Sequence, residues 1–276
     1  MDNSNGSSVY RLISHILLFI IALTFIFPFY WIITGSFKTQ AEILSTKPIF
    51  FPTEFTLENY QKLFLNPALQ WFINSVLMSL IAMVLVCITS SMAGYVLAKK
   101  RFFGRTVLFT MFIAAMALPK QVVLVPLVKL ISAMGFHDTL WAVILPTVGW
   151  PFGIFLMKQF AEGIPGEMME AARIDGANEV RTFVNIVMPM LKPAFGALAI
   201  FTFINVWNDY FLQLVMLVKR VNFSISLGIA TLQSELSTDF GLIMAGAALG
   251  SVPIVLIFIL FQNTFTQGIA LGAVKG

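Results

Sequence analysis

Long apolar runs dominate the pattern of hydrophobic and polar positions, and six of them are long enough to cross a membrane. A helix needs about 20 mostly apolar residues to cross about 30 Å of hydrocarbon. The six predicted spans are residues 12–36, 71–98, 106–131, 139–160, 194–218 and 241–262. Because backbone groups inside lipid must be bonded internally, each span is predicted to be helical. The predicted fold class is all-α: a polytopic membrane protein with about six transmembrane helices, forming one domain over residues 1–276.

Composition agrees with a membrane location and removes several other classes. The chain is 58% hydrophobic and 11% charged, whereas a soluble domain carries about 45–50% apolar and about 25% charged residues. A net charge of +4 then reflects basic loops beside the spans, and it does not predict a nucleic-acid partner. Cys87 is the single cysteine, and His15 and His137 lie far apart. The sequence therefore predicts neither an internal disulfide nor a metal site.

The basic residues predict the orientation of the spans. Residues 99–105 hold four basic residues and no acidic one, which places this loop in the cytoplasm. Both termini and the loop 161–192 are then cytoplasmic, and the loop 37–70 is external. Within that external loop, Leu57, Tyr60 and Phe64 follow Thr56 at helical spacing. A helix lying on the bilayer and a docking surface for an external partner both fit this pattern.

The cytoplasmic loop 161–192 is predicted to hold two short helices at an angle. Pro165 suits a helix start, and Glu167 and Glu170 favour the positive end of the helix dipole. Gly176 permits a sharp turn, and Asn178 is a good cap for a second helix that runs to about residue 187. Such a shape fits docking of a helix into a groove of a partner, although a solvated hairpin without a partner fits equally well.

At this loop the chain resembles the permease subunits of binding-protein-dependent ABC importers. Their motif is Glu-Ala-Ala, three residues, Gly, nine residues, then Ile-x-Leu-Pro. The chain matches it with Glu170-Ala171-Ala172, Gly176, Ile186, Met188 and Pro189, and the single departure is Met188 in place of Leu. Shorter matches, in the family's order, are Asn59-Tyr60, Asn74-Ser75, Ala93-Gly94-Tyr95, Asp138-Thr139, Trp207-Asn208-Asp209 and Gly272-Ala273-Val274-Lys275-Gly276. They cover nearly the whole chain and point to the carbohydrate-importing branch.

This resemblance implies which partner subunits the chain has and what each of them does. A second, usually different permease would pair with this chain in the bacterial or archaeal cytoplasmic membrane. A dimer of ATPase subunits would bind ATP and Mg²⁺, and an extracellular or periplasmic binding protein would deliver the sugar. The segment with Glu170, Ala171, Ala172, Asp175 and Gly176 would be the helix that couples to the ATPase. No cofactor is expected in this chain, which lacks a Gly-x-x-x-x-Gly-Lys-Ser/Thr loop.

Polar residues within the predicted spans are candidates for the substrate pathway, because they are costly in lipid. In the fifth span they are Asn205, Trp207, Asn208 and Asp209. Amides and a carboxylate suit sugar hydroxyls, and an indole ring can stack on a sugar. Bonding between helices explains the same residues equally well.

The third predicted span carries Lys120 and Gln121 near its middle. A cation at the centre of a span costs about 2.5–3.5 kcal/mol on insertion scales. Asp209 is the only acidic residue within another predicted span. The sequence therefore predicts a Lys120–Asp209 pair.

Two other classes of function compete with this interpretation. An intramembrane enzyme would need paired acids, a Ser–His set or a metal cluster inside the spans, and the sequence predicts no catalytic residue. A secondary transporter would normally show internal repeats with paired broken helices, and no repeat is visible. The leading hypothesis is a non-catalytic permease subunit of a sugar importer, with a secondary transporter or a permease for a non-sugar solute as the alternative.

Overall fold

The computed structural model describes the backbone of residues 4–235 and 239–273, and the side chains of residues 10–233 and 239–262. Helices account for the regular structure of these residues, and no strand occurs among them, which confirms the predicted all-α class. The helices are α1 Ser4–Gly35, α2 Gln40–Ile43, α3 Glu58–Leu65, α4 Ala68–Lys99, α5 Arg105–Met116, α6 Lys120–Ala133, α7 Trp141–Val148, α8 Pro151–Glu162, α9 Gly166–Ile174, α10 Glu179–Thr182, α11 Met188–Met190, α12 Lys192–Trp207, α13 Tyr210–Met216, α14 Ile225–Glu235 and α15 Phe240–Ala273. Of the short family match at residues 272–276, residues 274–276 lie outside the described residues.

Four helical segments are long and apolar enough to cross a membrane by themselves. They are Tyr10–Gly35, Ala68–Lys99, Trp141–Glu162 and Phe240–Gln262. Two further helix pairs pass the same test together but are bent, by 106° between α5 and α6 and by 77° between Glu179–Met190 and α12. The described residues therefore provide four spans, or six when each bent pair counts as one.

The third predicted span is wrong as a continuous helix. Proline has no backbone N–H and disfavours helical geometry in the residue before it. Pro119 therefore separates α5 from α6, with an extended ψ of 128°.

The fifth predicted span, 194–218, is also interrupted. Its helix α12 ends at Trp207, and α13 starts at Tyr210. Asp209 accepts a hydrogen bond from the Leu212 backbone N–H at 3.3 Å, so its side chain caps a new helix instead of continuing the old one.

The helices group into two units. The first consists of the described residues of Met1–Ala68 and Ile229–Ser251. In it, the buried Asn59 amide of α3 donates to the carbonyls of Ser36 at 2.9 Å and Lys38 at 2.8 Å. A Cβ on Gly241, the second residue of α15, would lie 2.3 Å from Asn59 Oδ1, so glycine allows the close approach of α3 and α15 there. These contacts hold α3 against the chain that follows α1, while Leu57 and Phe64 stay exposed.

The second unit consists of the described residues of Leu69–Gly228 and Val252–Gly276. Its core joins α4 and α8 to the segment that leads into α12 through Val86, Tyr95, Met157, Val187 and Leu198. Asn74 donates to the carbonyls of Val221 and Phe223, and Ser75 Oγ accepts from the Ile225 N–H. These two polar residues of α4 therefore bind the backbone that leads into α14. Residues 183–187 between α10 and α11 form a π-helical turn.

Candidate functional site

Three interruptions of apolar helices in the second unit lie around one cavity of about 300 Å³. They are the α5–α6 break at Pro119, the α7–α8 break at Gly149 and Trp150, and the α12–α13 break at Asn208 and Asp209. The residues that line the cavity include Lys120, Gln121, Thr147, Trp150, Asn205 and Asp209, among apolar side chains such as Leu124, Leu127 and Phe211. Non-helical backbone at membrane depth is tolerated where it lines a cavity. The breaks therefore mark this cavity as the candidate site.

Lys120 is the first residue of α6 and forms the polar centre of the cavity. Its Nζ donates to Asn205 Oδ1 at 2.9 Å and lies 3.2 Å from Asp209 Oδ2. The Lys120–Asp209 pair predicted from the sequence is thus present, and Asn205 is a third member. The Asp209 side chain is 15% exposed and that of Lys120 is 57% exposed. Lys120 has three N–H donors, and two of them have these partners.

The electrostatic setting explains why these residues occur together. A cation at a helix N-terminus opposes the helix dipole, whereas a cation near a helix C-terminus is favoured. Lys120 begins α6, but its Nζ reaches Asn205 in the last turn of α12. Asp209 supplies the compensating charge from the break that follows. The cavity therefore holds one paired cation and anion together with amide groups.

Buried hydrogen bonds satisfy the backbone at the α12–α13 break. Gln213, which is buried, donates through Nε2 to the Val206 carbonyl at 2.7 Å. Ser226 Oγ donates to the Trp207 carbonyl at 3.0 Å. Both carbonyls belong to the last turn of α12, where the regular helical pattern ends, and the Val206 carbonyl also accepts from the Asp209 N–H at 3.4 Å. Gln213, a polar residue of the same predicted span, therefore has a structural contact.

The structure separates the other candidate pathway residues. Gln121 lines the cavity beside Lys120. Asn208 is exposed and is not among the lining residues. Trp207, expected as a ring for stacking on a sugar, is 2% exposed, because it stacks on Phe203 at 5.5 Å and meets Phe72 edge-on. The structure gives Trp207 a packing contact instead of a ligand contact.

Sequence reasoning missed Trp150 and Thr147 in the cavity wall. Trp150 is half-buried, occupies the position just before α8, and packs against Phe152 at 5.0 Å between ring centres. Pro146 and Pro151 flank this stretch, and with Gly149 they form a local signal for a break that sequence reasoning did not use. Trp150 is an aromatic side chain of the cavity wall that is large enough to stack on a ring.

The Glu-Ala-Ala segment folds as predicted. Helix α9 covers Gly166–Ile174, and Gly176 follows it at φ +75°. The Ala177 N–H donates to the Ala172 carbonyl at 2.9 Å, and the Gly176 N–H donates to the Arg173 carbonyl at 3.0 Å. These two bonds are the Schellman pattern, which ends a helix at a left-handed residue and is most often formed by glycine. Asn178 then caps α10 by accepting from the Arg181 N–H at 2.8 Å.

Helix α9 presents an exposed surface. Ala172 is buried against the rest of the chain. Glu170, Ala171, Ile174, Asp175 and Gly176 are all exposed. An exposed isoleucine next to an exposed alanine is an apolar surface that nothing within the described residues covers. Among the motif residues, the buried Ala172 therefore anchors the helix, and the others are accessible to a partner.

Glu179 ties the end of this segment to α4. Its carboxylate accepts from Lys100 Nζ, from Arg173 at 3.2 Å and from the Tyr95 hydroxyl at 3.3 Å. The hydrogen bond from Lys100, followed by that from Arg173, lowers the pKa of Glu179 below its ordinary value. The neighbouring Lys99 Nζ donates to the carbonyls of Glu162 at 3.1 Å and Ile164 at 2.5 Å, just before α9.

Comparison with known proteins identifies the class. Residues 90–270 match the family described as "Binding-protein-dependent transport system inner membrane component". The arabinooligosaccharides transport system permease protein AraQ of Bacillus subtilis (strain 168) is 33% identical over 280 residues, covering 100% of both chains. The chain belongs to this family of membrane transport components, which confirms the resemblance found in the sequence.

Other relatives and solved structures agree. The diacetylchitobiose uptake system permease protein NgcG of Streptomyces coelicolor is 31% identical over 268 residues, covering 95% of this chain and 88% of that protein. A chain of a bacterial ABC transporter involved in the import of the acidic polysaccharide alginate has the same fold, with a TM-score of 0.82 and 20% identity over 96% of this chain and 99% of that chain. The relatives are transport permeases and not enzymes.

Proposed function

We propose that this chain is one permease subunit of an ATP-driven carbohydrate importer in the bacterial inner membrane. It forms half of the translocation pathway, and a separate ATPase docks on helix α9. The observation that carries the proposal is α9 itself, an exposed helix with an apolar surface whose two ends are tied to α4 by Lys99 and by Glu179. A solvated loop without a partner would not need this attachment.

A sugar as the cargo is supported by the relatives, whose names include arabinooligosaccharides and diacetylchitobiose. Solved transporters of the same fold include one crystallised with an alginate pentasaccharide-bound periplasmic protein. In this chain, Lys120, Gln121, Asn205 and Asp209 provide donors and acceptors that suit hydroxyl groups. Trp150 provides the ring in the same cavity. We place these five residues on the substrate pathway, with the second permease subunit supplying the remaining wall.

Docking of the ATPase is tested by adding bulk to the exposed face of α9. Ala171→Trp should leave this chain folded, because Ala171 is exposed, but it should block helix-in-groove contact. We expect the ATPase to copurify with the wild type and to be lost from the variant. Ala133→Trp, an exposed position at the end of α6, is the matched control and should retain the ATPase. An ATPase that follows both variants equally would show that α9 is not the docking helix.

The substrate pathway needs a separate test. Gln121→Ala and Asn205→Ala should lower uptake of the transported sugar while the ATPase still copurifies. A glycan panel offered to the cognate binding protein identifies that sugar. Uptake at the wild-type rate in both variants would remove these residues from the pathway without affecting the docking proposal.

The proposed orientation has its own test. In a Cys87→Ala background, single cysteines at Arg105 and Thr53 should differ in reaction with a membrane-impermeant thiol reagent added from outside. Thr53→Cys is expected to react because its loop is proposed to be external, and Arg105→Cys is expected to be protected. Reaction of Arg105→Cys from outside would reverse the assignment of sides.

A further inference from the structure

The turn between α4 and α5 forms a second concave surface, separate from the cavity and from α9. It has a volume of about 710 Å³ and is lined by residues 101–108 and Met111. The backbone makes this shape possible because Gly104 adopts φ +80° and directs α5 away from the end of α4. We call this surface the Arg-Phe groove, after Arg101, Phe102, Phe103 and Arg105.

The apolar part of the Arg-Phe groove is unusually open. Phe103 is 105% exposed, Val107 66% and Met111 64%. Val107 and Met111 are four residues apart and share one side of α5, and Phe103 lies in the turn just before that helix. Exposed aromatic and aliphatic side chains in a continuous surface mark a site of contact with another apolar phase or molecule.

The basic part of the groove carries charge that the fold does not neutralise. Arg101 makes no ion pair within the part of the chain that the structure describes, and Arg105 donates to the Lys100 carbonyl at 3.3 Å. The nearby acid, Glu179, is already shared by Lys100, Arg173 and Tyr95. Two guanidinium groups thus border an apolar surface with no carboxylate assigned to them.

Location and chemistry together favour one ligand. Helix α5 is the first half of a bent pair that is apolar enough to enter a membrane, so the groove lies where an apolar span begins. Guanidinium groups bind phosphate oxygens in a bidentate manner, and anionic lipids attract basic residues beside spans. A soluble anion would not need the apolar surface, and a neutral lipid would not need two arginines. We propose that the Arg-Phe groove binds an anionic glycerophospholipid, with its phosphate on Arg101 and Arg105 and an acyl chain along Phe103, Val107 and Met111.

Photo-crosslinking of lipids to the full transporter, purified with its partner subunits, tests this proposal. Diazirine-labelled phosphatidylglycerol and phosphatidylcholine are compared at equal density in nanodiscs, and labelled peptides are located by mass spectrometry. We expect phosphatidylglycerol to label residues 101–111 at least threefold more than phosphatidylcholine. Inorganic phosphate at millimolar concentration should not compete, because it lacks the acyl chain.

Charge variants make the test specific. Arg101→Gln/Arg105→Gln should lower phosphatidylglycerol labelling to the phosphatidylcholine level, whereas Lys129→Gln, which removes another exposed cation in α6, should leave it unchanged. Phe103→Ser should lower labelling by both lipids. Equal labelling by the two lipids, or competition by inorganic phosphate, would overturn the proposal. So would an absence of lipid labelling together with chemical cross-links from this segment to another subunit, since the groove would then belong to a protein interface.

Discussion

Neutralising Asp209 measures how strongly the Lys120–Asp209 pair stabilises the cavity. Breaking a fully buried ion pair costs about 3–5 kcal/mol, but the Lys120 side chain is 57% exposed, so water screens it. Exposed pairs contribute about 0.2–1 kcal/mol. We therefore expect Asp209→Asn to cost about 1 kcal/mol, near the upper end of that range, because the carboxylate itself is only 15% exposed.

The choice of substitution separates charge from capping. Asn is as good an N-cap as Asp, so Asp209→Asn should keep the bond to the Leu212 N–H and remove only the charge. Asp209→Ala should lose the cap as well and cost about 1 kcal/mol more. Lys120→Gln added to Asp209→Asn should cost little further, because the interaction has already been lost.

The assay is reversible unfolding in detergent micelles, titrated with SDS, for the wild type, the two single charge variants and the double variant. The interaction energy from this cycle should be about 1 kcal/mol. Additive losses in the double variant would show that the two charges do not interact. An interaction energy above about 3 kcal/mol would contradict the exposed geometry of Lys120 and would mean that water is excluded from the cavity.

Three further predictions concern the helices around the site. Gly176→Val should destabilise the α9 turn by about 1–2 kcal/mol, because φ is +75° there; normal sugar uptake together with full ATPase retention would contradict this. Gly94→Ala should lower the thermal unfolding midpoint, since its Cβ would lie 2.6 Å from the Lys158 backbone nitrogen, whereas Gly149→Ala meets nothing within 4 Å and should be neutral. Because the pKa of Glu179 is lowered, its stabilisation is complete above the ordinary value of 4.5 and is lost as the pH falls through the lower folded value. Hydrogen exchange of α10 should therefore increase on acidification in the wild type and change less in Glu179→Gln.

Local signals made part of the fold predictable. Apolar length alone located the spans that became α1 and α4. Gly176 and Asn178 located the turn and the second helix after α9, because a left-handed residue and a side-chain cap depend on neighbouring residues only. The same reasoning fails where distant residues decide the outcome.

The helix breaks show that limit. Pro28, Pro126 and Pro253 lie inside continuous helices, whereas Pro119 lies in the break between α5 and α6. No proline at all marks the break at Asn208 and Asp209. A freed carbonyl is tolerated only where the tertiary structure supplies a donor. At the α12–α13 break the donors are the side chains of Gln213 and Ser226, which no periodicity assigns to that task.

The sequence predicted which charged residues of the candidate site pair with each other, but not which aromatic side chains face the cavity. Lys120 and Asp209 were paired from the sequence because each charge is costly alone in a span. Trp207 and Trp150 are the same residue type in equally apolar surroundings, and nothing local distinguishes a buried indole from one in a cavity wall. The stacking of Phe203 on Trp207 decides that difference.

Lys99, the last residue of α4, and Lys100, which follows it, have a mechanical consequence. Lys99 holds the carbonyls just before α9, and Lys100 holds the carboxylate just after the turn that follows it. A helix attached at a single point can pivot there. A helix attached at two points is expected to move together with the helix that holds it. If a partner displaces α9 as proposed, we therefore expect the end of α4, a helix of 32 residues, to move together with it.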